Sequence, residues 1–328
     1  MIWNWLRPNS DADGREMKSI IIGAAGFVGT YLIDHLQAIG RSVYATKLDW
    51  QDFKKADVEV YDLDICDQAA VTDLFREIKP DEVYHLAAAS SVAASWHVPD
   101  DTIEVNIRGA LHVLEAARSC QPMPRTLLVG SSEEYGLTAQ TTPVLVESDA
   151  CQPANPYALT KVAQNSFGRI YASAYGVPVM MVRAFNHAGP GQSEQFVVSE
   201  FCKQVALIEA GRQEPIIRVG NLEAERDFSD VRDVVRAYSV VMTSGLRGVT
   251  YNVGAGKTVR IRELLDMVLD LSSTQISVQT DKQRFRPVDV PTSRPDITGL
   301  HELGWQPLID LKTTVADTLQ WWRRSLIT

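Results

Sequence analysis

Tyr157 and Lys161 stand four residues apart in the stretch NPYALTK. Pro156 suits the first turn of a helix, so both side chains project from one face, one turn apart. A phenol with an ordinary pKa near ~10 exchanges protons poorly at neutral pH. An ammonium held beside it favours phenolate and lowers that value, which suits general acid/base work on an alcohol or carbonyl oxygen. Upstream, Ser131-Ser132-Glu133-Glu134-Tyr135-Gly136 follows the apolar run TLLVG. A hydroxyl at the end of a buried strand can hydrogen-bond the same oxygen that Tyr157 protonates. Each mark alone recurs by chance, as a helix pair or a strand-end cap. Their order along one chain is what points to chemistry.

A third mark precedes them. Gly23-Ala24-Ala25-Gly26-Phe27-Val28-Gly29 separates the run Ile20-Ile21-Ile22 from the amphipathic TYLIDHL. Gly23 allows a tight turn, Gly26 the close approach of a pyrophosphate and Gly29 close helix–strand packing, with free N–H groups of the helix facing the anion. Lys47, 24 residues beyond Gly23, falls at the end of the second strand. A cation there tolerates a 2′-phosphate and leans toward NADPH, while NADH stays open because a solvated lysine is as common in that place. Asp64 in DLDICD is placed to accept from an adenine amino group, or to cap the next helix.

These marks need elements to hold them. The chain alternates apolar runs at 42–46, 58–64, 81–88 and 126–132 with helical patterns at 69–78, 101–119 and 156–175. That alternation predicts an α/β fold, a Rossmann-type doubly wound parallel sheet covered on both faces. After about residue 190 the rhythm breaks, predicting a smaller, irregular C-terminal substrate-binding lobe over the carboxyl edge of the sheet. The expected division is an N-terminal extension over 1–16, a dinucleotide-binding domain over 17–189 with segments returning from the C-terminal half, and a lobe mainly over 190–328. The 328 residues accommodate two such lobes. Hydrophobic residues at 45% and charged residues at 22% exclude a disordered or fibrous chain. The net charge of -9 disfavours nucleic acid as a partner. Four scattered cysteines without metal spacing predict reduced thiols and no metal. With no bilayer-length apolar run and a polar start, the expectation is a cytoplasmic protein away from membranes.

The GxxGxxG turn, HLAA at 85–88, Asn106 in VNIRGALHVLEAAR, the Ser131 strand end and the YxxxK helix resemble the extended short-chain dehydrogenase/reductases. GSSEEYG, FNHAGPGQ, EPIIRVGNLEAERDFSDVRD and FRPVDVPT narrow the resemblance to the GDP-4-keto-6-deoxy-D-mannose reductases, which form GDP-D-rhamnose. The resemblance implies that Tyr157 is the general acid, that Lys161 holds the nicotinamide ribose and lowers the Tyr157 pKa, and that Ser131 orients the sugar O4. It implies a cofactor wall of Phe27, Val28, Ile65, Leu86, Ala87 and Ala88 beside the glycines. Ser132, Asn186, Arg218, Asn221, Arg226, Arg286 and Asp289 are the implied contacts to a GDP-linked 4-keto-6-deoxyhexose, each arginine offering a fork to phosphate. His85 reads as a packed strand-end residue. The 101–119 and YxxxK helices are the implied four-helix contact of a homodimer.

Glu133 leaves a second activity open. In the related sugar-nucleotide dehydratases a Glu two residues after the Ser/Thr removes the C5 proton. Against that reading, NHESP of those enzymes is Asn186-His187-Ala188-Gly189-Pro190 here, and RDF stands where they carry a tryptophan. A dehydratase or epimerase remains the alternative. A non-catalytic NADP(H)-binding sensor comes last, because Ser131, Tyr157 and Lys161 are all present.

Overall fold

Apolar runs without polar alternation suit strands buried on both faces. In the computed structural model, which describes residues 16–281 and 290–326, these runs become β1 (Lys18–Ile22), β2 (Ser42–Lys47), β3 (Glu59–Asp62), β4 (Glu82–His85), β5 (Arg125–Ser131) and β6 (Val179–Ala184). Three short strands follow, β7 (Asn186–Ala188), β8 (Ile216–Val219) and β9 (Glu225–Asp230), and then β10 (Thr250–Val253). Seven strands form one sheet in the order β10-β6-β5-β4-β1-β2-β3, with every neighbouring pair parallel. The order reverses at β1, between β2 and β4. A crevice opens at such a reversal beyond the carboxyl ends of the strands. Gly23, His85, Ser131 and the end of β6 all lie at that edge. The expected doubly wound sheet is the fold observed.

Helices cover both faces: α1 (Phe27–Ala38), α2 (Gln68–Ile78), α3 (Val92–Ser95), α4 (Pro99–Ile103), α5 (Ala110–Ser119), α6 (Pro156–Ala174), α7 (Val197–Glu209) and α8 (Val231–Ser244). Leu32, Ile33 and Leu36 of α1 pack with Val234, Tyr238 and Val241 of α8 on one face. On the other, Leu74 and Phe75 of α2, Val113 and Leu114 of α5 and Tyr171 of α6 meet Ile20, Ile22 and Met181. β10 and α8 come from beyond residue 190 yet complete the central sheet. A separate core joins α7 to α9 (Ile261–Leu269), after β11 (Thr258–Arg260), and to Leu319 of the last helix. Around it, β12 (Ser277–Thr280) pairs with β8, and β13 (Thr292–Ser293) pairs with β9 beside β7 and β11. The chain closes with α10 (Thr298–Glu302) and α11 (Leu311–Ser325).

One expected element differs. The helix predicted over 101–119 is three pieces, because a π-helical stretch, Glu104–Gly109, separates α4 from α5. The buried Asn106 lies within it. Its Oδ1 accepts the Ala89 N–H at 2.8 Å, and its Nδ2 donates to the Ala89 carbonyl at 3.2 Å and to Thr160 Oγ1 at 2.9 Å. A wider turn of this kind marks functional segments. Here it ties the loop after β4 to α6.

Candidate active site

The first helix begins with nothing capping it. Gly26, its N-cap residue, offers no side-chain acceptor and the first turn holds no acid, so the free N–H groups and the positive end of the dipole face outward. Gly23, at φ +84°, supports that turn. Its N–H donates to Thr46 Oγ1 at 3.1 Å, and a Cβ there would sit 2.7 Å from the Ala87 backbone. Gly29 is as restricted, since a Cβ would lie 2.3 Å from the Ala24 carbonyl oxygen. Loop and helix therefore press against β1 and β4 and leave a backbone cradle for a diphosphate. A cleft of about 920 Å³ runs from there across the strand ends. Its lining includes the expected Gly23, Gly26, Phe27, Val28, Gly29, Lys47, Asp64, Ile65, Leu86, Ala87 and Ala88.

Across the same cleft stand Ser131, Ser132, Glu133, Tyr157 and Lys161. α6 delivers the last two because its sequence starts cleanly. Asn155 caps it, accepting the Ala158 N–H at 2.8 Å, and Pro156 follows at the first position. Tyr157, Lys161, Gln164, Gly168 and Tyr171 form its buried stripe. Burial, with the charges of Glu134 and Glu133, pushes the Tyr157 phenol well above its usual value, and the neighbouring Ser131 side chain offsets only part of that rise. Burial lowers Lys161 to about 8 against the pull of Glu134. Its ammonium donates to the Val129 carbonyl at 2.9 Å and to Gln164 Oε1 at 3.0 Å, leaving one of three N–H groups for a ligand hydroxyl. The expected lowering of the phenol by Lys161 is therefore corrected: the amine turns to Val129 and Gln164, and desolvation dominates. The pair holds a phenol that keeps its proton until an acceptor arrives, suited to a general acid.

The remaining expected residues divide. Asn186, Asn221 and Arg226 line the cleft. The Asn221 side chain also accepts the Glu223 N–H at 3.0 Å, and Arg226 Nη1 donates to the Glu225 carbonyl at 2.8 Å. Arg218 is not brought in: it is exposed on β8 and donates to Gln279 of β12 at 3.1 Å. Arg286 and Asp289 lie outside the described residues. Lys47 reaches the cofactor end but is paired with Asp62 at 2.5 Å. His85 is buried with neither ring nitrogen partnered, and burial holds its pKa down to about 3, as a packed neutral imidazole requires. Glu133 faces the cleft and accepts from Asn155 Nδ2 at 3.0 Å. The sequence reading did not pick out Thr46 or Gln192, both in the lining, nor the buried Glu134. The last residue of the FNHAGPGQ block was the available sign for Gln192.

A family described as GDP-mannose 4,6 dehydratase matches residues 20–318. The chain belongs to the GDP-mannose 4,6 dehydratase family. That membership bears out the resemblance read from its motifs. Among relatives of the family, a GDP-6-deoxy-D-mannose reductase of Pseudomonas aeruginosa is 31% identical over 92% of this chain and 96% of its own length. A GDP-mannose 4,6 dehydratase 1 of Arabidopsis thaliana is 30% identical over 94% and 91%. The solved structure of RMD from Pseudomonas aeruginosa complexed with NADPH superposes with a TM-score of 0.81 at 29% identity, covering 94% of this chain and 99% of that one.

Proposed function

We propose that this family member is an NADPH-dependent reductase that converts the C4 ketone of GDP-4-keto-6-deoxy-D-mannose to the alcohol of GDP-D-rhamnose. The observation that carries the reading is the grouping of Ser131 and Tyr157 beside the buried Lys161, in a cleft that continues to an uncapped helix N-terminus. When bound, the dihydronicotinamide supplies the hydride. The chain does the rest. The α1 N-terminus and the Gly23–Ala87 cradle receive the pyrophosphate. The spare N–H of Lys161 takes a ribose hydroxyl. Ser131 aligns the ketone oxygen, and Tyr157 gives its proton to the developing alkoxide, so charge never accumulates in a buried site. The GDP diphosphate and sugar fall to Asn186, Asn221 and Arg226. A 2′-phosphate competes with Asp62 for Lys47, and a dianion is the stronger partner for an ammonium. The relatives' names support this substrate class, and the NADPH-bound structure supports the cofactor.

Ile103 of α4 and Leu159 and Ile170 of α6 are exposed at 46%, 56% and 50%. Leu159 and Ile170, three turns apart on one face, support a homodimer through these helices.

Glu133 keeps a second reading in view, since its carboxylate lines the cleft where a dehydratase would need a base. One assay separates them. With GDP-4-keto-6-deoxymannose, a reductase oxidises one NADPH per sugar and releases GDP-D-rhamnose. With GDP-mannose, a dehydratase produces the ketosugar with no net change in cofactor. Turnover of GDP-mannose without turnover of the ketosugar would overturn the reductase reading.

A further inference from the structure

Beneath the cleft, outside its lining, lies a charge that the proposed reaction does not use. The Glu134 carboxylate is fully buried, and its three partners come from three separate elements. Oε1 accepts the Ser131 N–H of β5 at 2.9 Å and the Asn165 Nδ2 of α6 at 2.8 Å. Oε2 accepts Arg183 Nε of β6 at 3.0 Å. Arg183 is buried as well. It continues the network to the Glu147 carbonyl at 3.1 Å and to Cys151 Sγ at 3.0 Å, with its guanidinium over the Tyr135 ring at 4.6 Å. Space for the carboxylate exists because residue 130 is glycine: a Cβ there would stand 2.1 Å from Oε1.

A buried ion pair is a poor way to stabilise a fold, since apolar residues of similar volume often do as well. What it supplies here is geometry. Ser131 and Tyr157 must reach one ketone oxygen, yet they arrive on different elements, a strand end and a helix. Asn165 lies one turn beyond Lys161 on that helix. We infer that Glu134 is a positioning residue, whose carboxylate clamps the Ser131 backbone to the Asn165 turn of α6 and so sets the approach of the Ser131 hydroxyl to the Tyr157 phenol. The inference rests on the reductase reading for its catalytic consequence and on the three contacts for its mechanical one.

Glu134→Gln tests it, because an amide nitrogen in place of one oxygen must face at least one of three donors. The measurements are NADPH binding by fluorescence, steady-state reduction of the ketosugar per folded molecule, and hydrogen exchange of peptides covering residues 130–135. The expected result is a kcat lower by about 10²-fold, the scale of a small misplacement, with KM and NADPH affinity within about threefold, and exchange at 130–135 faster by about tenfold. An unchanged kcat in the folded variant would overturn the catalytic half. Unchanged exchange would overturn the clamp itself. Asn165→Ala, which keeps both buried charges and removes the α6 arm alone, gives the same pair of readouts should Glu134→Gln not fold. It is expected to lower kcat about tenfold at constant KM, and unchanged kcat and exchange there would equally overturn the inference. If the wild type does not reduce the ketosugar, the reductase reading fails while the exchange arm still decides the clamp.

Discussion

In the proposed reaction Tyr157 has to hold a proton in a site dry enough to make its release productive, and Lys161 has to carry a positive charge in the same dry place. The two demands act oppositely on stability. Burial raises the phenol and lowers the amine to about 8. The unfolded chain would hold Lys161 near ~10.4, so between about pH 8 and ~10.4 the unfolded state binds more protons and stability rises with pH. Below about pH 8 the charged amine is a standing cost. Lys161→Met is therefore expected to stabilise the cofactor-free protein at pH 7 by about 1–2 kcal/mol, after allowing for the hydrogen bonds lost to Val129 and Gln164. The gain should fade toward pH 10 in denaturant titrations; a Met variant less stable than wild type at pH 7 would contradict the desolvation argument. Tyr157→Phe removes the acid without disturbing the cradle. Its kcat should fall by ~10²–10⁴-fold while NADPH still binds, measured by fluorescence titration; loss of NADPH binding in parallel would mean the phenol serves binding instead. These two residues were legible from spacing and type, because four residues on a Pro-started helix define a face. Their protonation behaviour was not, since it depends on desolvation and on Glu134, which only the folded arrangement brings near.

At the scale of elements, the glycine turn, β5 and α6 were legible because each is long enough for periodicity or punctuation to register. The π-helical stretch was not: VNIRGALHVLEAAR reads as one amphipathic helix, and a local change of hydrogen-bond register leaves no mark in composition. β7, β11, β12 and β13 have only two to four residues each, fewer than an alternation needs to be visible. Gly29 tests whether the turn works by packing. Gly29→Ala places a methyl against the Ala24 backbone and is expected to cost about 1–3 kcal/mol of stability, the scale of an overpacked contact. It should weaken NADPH more than it weakens the ketosugar. Calorimetry and separate KM values read both. A variant with wild-type stability and NADPH affinity would show that the helix can shift without penalty.

At the scale of the molecule, the site is assembled from distant stretches: Gly23 and Ala87 at one end, Ser131 and Tyr157 at the centre, Asn221 and Arg226 at the other. Sequence motifs could name most of these but not rank them. Arg218 and Arg226 look alike in the strand region EPIIRVGNLEAER, yet only the second lines the cleft. Buried Glu134 and Arg183 lie 49 residues apart, and no local pattern announces their pairing. Association is tested on the exposed face of α6: Leu159→Asp should convert a dimer into a monomer in sedimentation, and a wild type that sediments as a monomer would refute the four-helix contact. The proposed reaction is decided by where the hydride goes. NADPH carrying deuterium at the transferable C4 position, incubated with GDP-4-keto-6-deoxymannose and the enzyme, should place deuterium at C4 of the product sugar, one per molecule, as read by NMR. Product without deuterium at C4, or no product while the deuterated NADPH persists unconsumed, would contradict it.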